Sequence, residues 1–134
     1  MTTSPENLVQ EVLSRTGRPT KQITTGLYRC EGLLPGGRSL LVRIDPAGYV
    51  AAAVVPVAPS PRDAKKAARL YQRLLELNHE ILMVRFSIDD DLDVILSVEH
   101  PSADLDASEL EAALDLLAHY IDAHGDEIDS LARA

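Results

Sequence analysis

The sequence predicts an α+β domain of two layers, a twisted antiparallel sheet with helices packed mainly on one face. Three stretches carry helix-start signals followed by apolar residues at helical spacing, and five carry the apolar alternation of strands. The connections between neighbouring strands are short and rich in turn residues, which favours antiparallel pairing. The predicted order is α-β-β-β-α-β-β-α, and the 134 residues fit a single domain over 1–134.

The first two predicted helices both begin at a Ser-Pro pair. Ser4 and Pro5 supply a hydroxyl cap and a proline in the first turn, and Gly17 ends this short helix. Ser60 and Pro61 repeat the signal, and this second helix is predicted to run to about residue 78. Its alanines and leucines predict a face buried against the sheet or against another helix.

The third predicted helix has the clearest start. Asp106 is followed three residues later by Glu109, which is the spacing of a capping box. The apolar seam that follows has a mean period of about 3.5, which fits both a coiled coil and a helix packed on its own sheet. The seam consists of Leu110, Leu114, Leu117, Ile121, His124, Ile128 and Leu131. Gly125 predicts a weakened or bent end.

The five predicted strands cover residues 23–33, 39–44, 49–57, 83–88 and 94–99. Gly26 is expected to form a bulge inside the first strand. The Pro-Gly-Gly sequence at residues 35–37 predicts a turn. The third strand is apolar on both faces, so we expect it to be central, with helices on one side and a second subunit on the other.

Composition and charge narrow the classes of function. One Phe, four Tyr and no Trp leave little aromatic surface for stacking on bases or sugars. The single cysteine, Cys30, fits a reducing cytoplasm, and no apolar run suggests a signal peptide or a membrane span. The net charge of −8 is uneven, because residues 1–73 carry 11 Lys/Arg against 5 Asp/Glu and residues 74–134 carry 2 against 16. The two halves either neutralise each other or mark a partner-binding surface.

No catalytic or metal-binding constellation is predicted. Asp89, Asp91 and Asp93 match the first ligands of a calcium loop, but Val94 stands where that loop requires glycine, so we interpret the segment as a hairpin turn. The four histidines do not bring three ligands together, and the glycines at 36 and 37 lack the spacing of a phosphate loop. Cys30 is interpreted as a small apolar strand residue. We therefore expect no enzyme activity, no metal and no cofactor.

A stripe of basic residues along the second helix is the one polar feature suited to a partner. It consists of Arg62, Lys65, Lys66, Arg69 and Arg73. A solvated helix face is the simplest interpretation. The alternative is a regulatory or stress-response accessory factor whose stripe contacts nucleic acid or a nucleic-acid-binding protein.

Several segments of the second half form a distinctive pattern. They read Leu-Leu-Glu-Leu-Asn-His-Glu at 74–80, Val-Arg-Phe-Ser-Ile-Asp at 84–89 and Val-Ile-Leu-Ser-Val at 94–98, followed by an acidic helix from Asp106. This pattern resembles the YbjN-domain family, whose members share the fold of type III secretion chaperones. The order of elements extends the resemblance over the whole chain.

The resemblance implies a non-enzymatic, chaperone-like homodimer that binds another protein along an exposed apolar surface. The family offers no catalytic residues to transfer, and no membrane partner is implied. The expected dimer or partner surface consists of Leu41, Tyr49, Ala51, Ala53, Val55, Tyr71 and Leu74.

Overall fold

The computed structural model describes residues 4–133, which form three helices and one six-stranded antiparallel sheet. The helices are α1 (Pro5–Ser14), α2 (Ala64–Glu80) and α3 (Ala107–Arg133). The strands are β1 (Thr20–Thr24), β2 (Leu27–Leu34), β3 (Arg38–Asp45), β4 (Tyr49–Pro59), β5 (Arg85–Ile88) and β6 (Asp93–Pro101). Their order across the sheet is β1-β2-β3-β4-β6-β5. The predicted α+β fold is therefore confirmed.

The first predicted strand is in fact two strands, β1 and β2, joined by a tight turn at residues 25–26. Gly26 has φ +75°, and its carbonyl accepts a hydrogen bond of 2.7 Å from the Ile44 amide. A Cβ at this position would lie 3.0 Å from the Ile44 carbonyl oxygen. The prediction of a bulge was wrong because positive φ and this close approach together suit a turn that only glycine adopts easily.

Strand β4 lies in the interior of the sheet, between β3 and β6, as predicted. Its residues alternate between the two faces of the sheet. Val50, Ala52 and Val54 are buried beneath the helices, whereas Tyr49 and its alternate neighbours face the other way. The hydrophobic core therefore lies between the sheet and the three helices, and the opposite face carries no helix within residues 4–133.

Two of the three predicted helix starts are confirmed. The Ser4 hydroxyl accepts a hydrogen bond of 3.2 Å from the Asn7 amide. Asp106 and Glu109 form the capping box, in which Asp106 Oδ1 accepts from the Glu109 amide at 2.8 Å and Glu109 Oε1 accepts from the Asp106 amide at 3.3 Å.

The start of α2 differs from the prediction. Its cap is Asp63, whose carboxylate accepts from the Lys66 amide at 3.0 Å, and the helix begins at residue 64. The predicted cap, Ser60, instead accepts a hydrogen bond of 2.8 Å from the hydroxyl of Tyr71. Both residues are good caps by type, and tertiary contact with Tyr71 decides between them.

Helix α3 packs on its own sheet through the predicted seam, and it continues without interruption to residue 133. The predicted weakening at Gly125 was wrong because this glycine is buried against the side chain of Arg38. A Cβ at Gly125 would lie 3.3 Å from Arg38 Nη1. The absence of a side chain at this position makes room for the guanidinium.

Arg38 joins three parts of the fold in an arrangement that we call the Arg38 clamp. Its Nε donates to the Val57 carbonyl at 3.0 Å, its Nη1 to the Pro35 carbonyl at 3.2 Å, and its Nη2 to both carboxylate oxygens of Asp129 at 2.8 and 2.9 Å. The Arg38 side chain is only 12% exposed. Since a buried charge without partners is costly, these bonds fix the C-terminal half of α3 on the sheet.

Candidate functional site

The helix-free face of the sheet carries a shallow apolar strip, which we call the open face. Leu41, Ala51, Ala53 and Val55 are half-buried there, and Tyr49 is 47% exposed. Leu41 lies directly opposite Ala53 in the pairing of β3 with β4, so their side chains meet on the same face. Because the central positions are alanines, the strip is flat enough to admit an extended backbone.

Ion pairs on β2, β3, β5 and β6 border the open face. The pairs are Arg29–Glu31 at 3.3 Å, Arg43–Asp45 at 3.4 Å and Arg85–Glu99 at 2.7 Å. Each of these side chains is at least one-third exposed, so the pairs contribute little to stability. They surround the apolar strip with charge that favours solubility when the strip is uncovered.

A second apolar surface lies where α2 covers β5, at the edge of the sheet. Six large apolar side chains are more than two-fifths exposed in the described chain. Four of them belong to α2 or to the segments that precede and follow β5: Leu75 (70%), Leu82 (69%), Met83 (67%) and Leu92 (60%). A groove of about 240 Å³ between α2 and β5 is lined by Tyr71, Leu74, Leu75, Asn78, Phe86, Ser87 and Ile88. Exposed large apolar side chains can mark sites of contact with other proteins.

The turn that presents two of these side chains is strained. Met83 has φ +67°, and the Val84 amide donates a hydrogen bond of 2.8 Å to the carbonyl of Leu82 two residues earlier. A γ-turn with a positive central φ is rare for a residue other than glycine. The Tyr120 hydroxyl accepts from the Leu82 amide at 3.1 Å, which holds the strained turn against α3. Strain of this kind is concentrated at functional sites in proteins.

On the free edge of β5, the side chain of Asn78 pairs with the backbone of Phe86. Its Oδ1 accepts from the Phe86 amide at 2.7 Å, and its Nδ2 donates to the Phe86 carbonyl at 3.0 Å. One side-chain amide therefore satisfies both groups that a further strand would need at this position. Asn78 lies in the segment that carried the family resemblance, but its partner eight residues later was not predicted.

The structure divides the predicted basic stripe into paired and unpaired residues. Arg73 Nε donates to Glu127 at 2.8 Å, and its Nη1 lies 3.6 Å from Glu76. The hydrogen bond to Glu127 raises the pKa of Arg73. The other four members of the stripe, Arg62, Lys65, Lys66 and Arg69, are exposed and form no ion pair within residues 4–133.

The expected dimer or partner residues are distributed over both apolar surfaces. The sheet residues Leu41, Tyr49, Ala51, Ala53 and Val55 lie together on the open face. Tyr71 is half-buried beside the α2–β5 groove, whereas Leu74 is 4% exposed and belongs to the core. The apolar pattern of α2 did not predict that the neighbouring Leu75 is exposed, because the sequence does not show which of two adjacent leucines points towards the core.

The segments set aside in the sequence have structural roles. The side chain of Asp89 accepts hydrogen bonds from the amides of Asp91 at 3.0 Å and Asp93 at 2.9 Å, which confirms the hairpin turn. Within residues 4–133, no group of three or more His, Cys, Asp or Glu side chains is arranged to hold a metal. Cys30 is fully buried, and Thr16 Oγ1 lies 3.6 Å from its sulfur.

Two other groups with shifted pKa values lie at helix ends. The hydrogen bond between Arg15 and Glu111 raises the pKa of Arg15 and joins α1 to α3 across a groove of about 350 Å³. The amide of Glu109 lowers the pKa of Asp106 at the start of α3. Neither arrangement places an acid and a base together as general acid–base catalysis requires. None of the described helices combines the length and hydrophobicity needed to cross a membrane.

Comparison with known families identifies the class of protein. A family model described as "T3SS (YopN, CesT) and YbjN peptide-binding chaperone 1" (TY-Chap1) matches residues 35–132. The chain belongs to the TY-Chap1 family. The resemblance that was predicted from the segments at 74–98 is therefore confirmed. No curated protein matches the sequence.

Chains from several solved complexes of two proteins have a similar fold. A chain of the heterodimeric ExoU–SpcU complex of Pseudomonas aeruginosa has a TM-score of 0.66 at 16% identity, covering 92% of this chain and 97% of the other. A chain of the ExsC–ExsE complex has a TM-score of 0.63 at 15% identity, covering 95% and 98%. A chain from the complex of the Yersinia pestis secretion chaperone SycH with a fragment of YscM2 has a TM-score of 0.61 at 12% identity, covering 87% and 96%. At these identities the likeness establishes the fold.

Proposed function

We propose that this protein is a non-enzymatic chaperone that acts as a homodimer and binds an extended segment of a partner protein on an exposed apolar surface. Membership of a family of peptide-binding chaperones supports the proposal, as do similar folds in complexes of chaperones with other proteins. The single observation that carries it is the open face, an apolar strip left without a covering helix in the described chain.

The open face suits an unfolded segment rather than a folded domain. Its floor is formed by Leu41, Ala51 and Ala53, whose short or half-buried side chains leave the strip accessible. A segment that lies across the strip buries its own apolar side chains against it. Tyr49 and Val55 extend the contact along β4. Since ordering an unfolded segment costs free energy, a long, shallow contact is required.

The second apolar surface, along α2 and β5, supports the homodimer. Tyr71 borders this surface, while Leu74 supports it from the core and Leu75 is the exposed contact beside it. Separate surfaces would allow a dimer to bind its partner without dissociating. The buried thiol of Cys30 supports a cytoplasmic location, where thiols stay reduced.

The alternative based on nucleic acid gains no support from the family or from the similar structures. The basic stripe spans a single helix on a chain of net charge −8, and few aromatic residues accompany it. We therefore do not assign the stripe to nucleic acid.

Capture of partners from native lysate tests the proposal. Tagged wild type is compared with the double variant Leu41→Glu/Ala53→Glu, which places two charges on the open face. The matched control is Ala112→Glu/Ala123→Glu, which places two charges at exposed positions of α3, on the other side of the sheet. We expect the wild type and the control to retain the same partner protein and the open-face variant to lose it at unchanged helix content. Equal capture by all three proteins would contradict a role for the open face.

A further inference from the structure

An open channel runs along one flank of α3, on the helix side of the sheet and away from the open face. Its first part, a cavity of about 350 Å³, lies between α1, the end of β2 and α3. Its second part, of about 470 Å³, lies between α3 and the turn at residues 35–37. Leu34 lines the first cavity and Pro35 lines the second. On α3, Ala118 lines the first cavity and Asp122, one turn later, lines the second, so the two cavities follow one another along the helix.

The first cavity has an apolar floor recessed between α1 and α3. Buried side chains form the floor and half-buried side chains form the walls, and together these are Val12, Leu34, Leu114, Leu33 and Ala118. Arg15 also lines this cavity, but its guanidinium donates to Glu11 and Glu111, so its charge is already paired. Because the floor is recessed, an extended segment reaches it with its side chains more readily than the convex surface of a folded protein does.

Acidic side chains follow the same flank of α3 from the first cavity into the second. Asp115, Asp122 and Asp126 recur at intervals of seven and four residues, which places them on one side of the helix. All three are exposed, and none forms an ion pair in the part of the chain that the structure describes. Arg38, the cation of the second cavity, is bound by Asp129 and does not neutralise them. The apolar groove is therefore bordered by three uncompensated negative charges.

We propose that the channel binds an extended stretch of the partner protein in which apolar side chains and lysine or arginine side chains are centred three or four residues apart. The apolar side chains enter the first cavity, and the cations meet Asp122 and Asp126 at the second. This assignment rests on the proposed function, because it gives the partner segment a second, charge-selected contact away from the open face.

The spacing follows from the geometry of α3. Leu114 and Ala118 centre the apolar lining on residue 116, whereas Asp122 and Asp126 are centred on residue 124. Eight residues of helix span about 12 Å. An extended chain covers that distance in roughly three to four residues. The negative charges favour a basic segment over an acidic one and repel phosphate groups.

NMR titration of the isotope-labelled protein with synthetic peptides tests the proposal. The probe is the peptide Gly-Leu-Ser-Leu-Ser-Arg-Ser-Arg-Gly, whose alternate side chains face the same side when it is extended. One comparison peptide has both arginines replaced by glutamate, and the other has both leucines replaced by serine. We expect the probe to shift the backbone amides that line the channel. At low salt, we expect both comparison peptides to bind about tenfold more weakly.

Two variants of the protein examine the acids and the groove separately. Asp122→Asn/Asp126→Asn removes two charges from the channel, and we expect it to weaken binding of the probe about fivefold, as loss of two exposed charge contacts does. Ala118→Lys fills the apolar cavity with a side chain of the protein itself, and we expect it to abolish binding. The new lysine lies at helical spacing from Asp115 and Asp122, so the helix tolerates it.

Asp90→Asn/Asp91→Asn is the matched control, because it removes two charges from exposed positions in the turn between β5 and β6. We expect the control to bind the probe as the wild type does, and the amide spectrum of each variant reports whether it remains folded. Equal binding of the arginine and glutamate peptides, or unchanged binding by Asp122→Asn/Asp126→Asn, would overturn the proposal.

The position of the shifted amides separates this proposal from the proposed function. Shifts confined to the open face, around Leu41 and Ala53, would overturn the assignment of the channel and leave the proposed function standing. No saturable shift in the channel at millimolar peptide would also overturn the assignment, since the open face is tested independently by partner capture. Shifts of the channel amides that depend on protein concentration alone would assign the channel to a second copy of the chain instead.

Discussion

The Arg38 clamp leads to a prediction about how Gly125→Ala changes the free energy of unfolding. The sign of that change depends on one contact. Gly125 lies within α3, where replacement by alanine ordinarily stabilises a helix by about 0.5–1 kcal/mol. Here the new Cβ would lie 3.3 Å from Arg38 Nη1 and 3.7 Å from Cζ and Nη2. Four hydrogen bonds hold the guanidinium, so it cannot move away without weakening at least one of them.

The expected magnitude follows from these opposing effects. Loss of one charged hydrogen bond costs roughly 1.5–3 kcal/mol, which exceeds the gain in helix propensity. We therefore expect Gly125→Ala to destabilise the wild type by about 1 kcal/mol. When Arg38 is replaced by Met, the side chain beside residue 125 is flexible and uncharged. In that background, Gly125→Ala should stabilise the protein by about 0.5–1 kcal/mol. Arg38→Met alone should cost about 3 kcal/mol, because it leaves Asp129 and two carbonyls without their partner.

Urea unfolding of the four proteins in this double-mutant cycle provides the assay. Protein concentration is held constant, because the proposed dimerisation would make apparent stability depend on it. The predicted coupling energy between residues 38 and 125 is about 1.5–2 kcal/mol. If Gly125→Ala stabilised both backgrounds equally, the clamp would not restrict this position, and the reasoning would be refuted.

Three further changes test other parts of the structure. Asn78→Leu should destabilise the protein by about 2–3 kcal/mol and increase aggregation measured by light scattering, because the backbone groups of Phe86 lose both partners. Unchanged solubility and stability would contradict the role of Asn78 at the edge of β5. Asp106→Asn should lower stability at neutral pH, and the difference from wild type should shrink as pH falls below the ordinary carboxyl value of 3.8 and through the lower folded-state pKa. A difference that is constant from pH 6 to pH 2.5 would show that the Asp106 charge contributes nothing. Leu75→Glu should leave the stability of the monomer within about 0.5 kcal/mol of wild type, because the side chain is exposed. The same change should weaken self-association in sedimentation experiments. An unaffected dimer would place the interface elsewhere.

Local chemistry was sufficient to predict the fold class and most element boundaries. The capping box at Asp106 and the hairpin turn at Asp89 depend on residues within four positions of each other, so their spacing is visible in the sequence. The placement of β4 in the interior followed from apolar residues on both of its faces. These features concern local propensity and pattern, where neighbouring residues carry the information.

The features that were missed depend on contacts distant in sequence. Arg38 meets Asp129 across 91 positions, and only that contact explains why Gly125 is buried inside a continuous helix. Ser60 was predicted as a cap because its type fits, but Tyr71 binds its hydroxyl in the fold. Of the expected contact surface, the open-face residues share one face as their alternation implies, whereas Leu74 is buried and Leu75 is exposed.

Native mass spectrometry of the protein, purified gently from its own cells, tests the central claim most directly. We predict a species of twice the 14.6 kDa chain mass that also carries a partner polypeptide. The open-face variant Leu41→Glu/Ala53→Glu should keep the dimer mass and lose the partner. Single chains without any bound polypeptide, at micromolar concentration and for wild type and variant alike, would contradict the account.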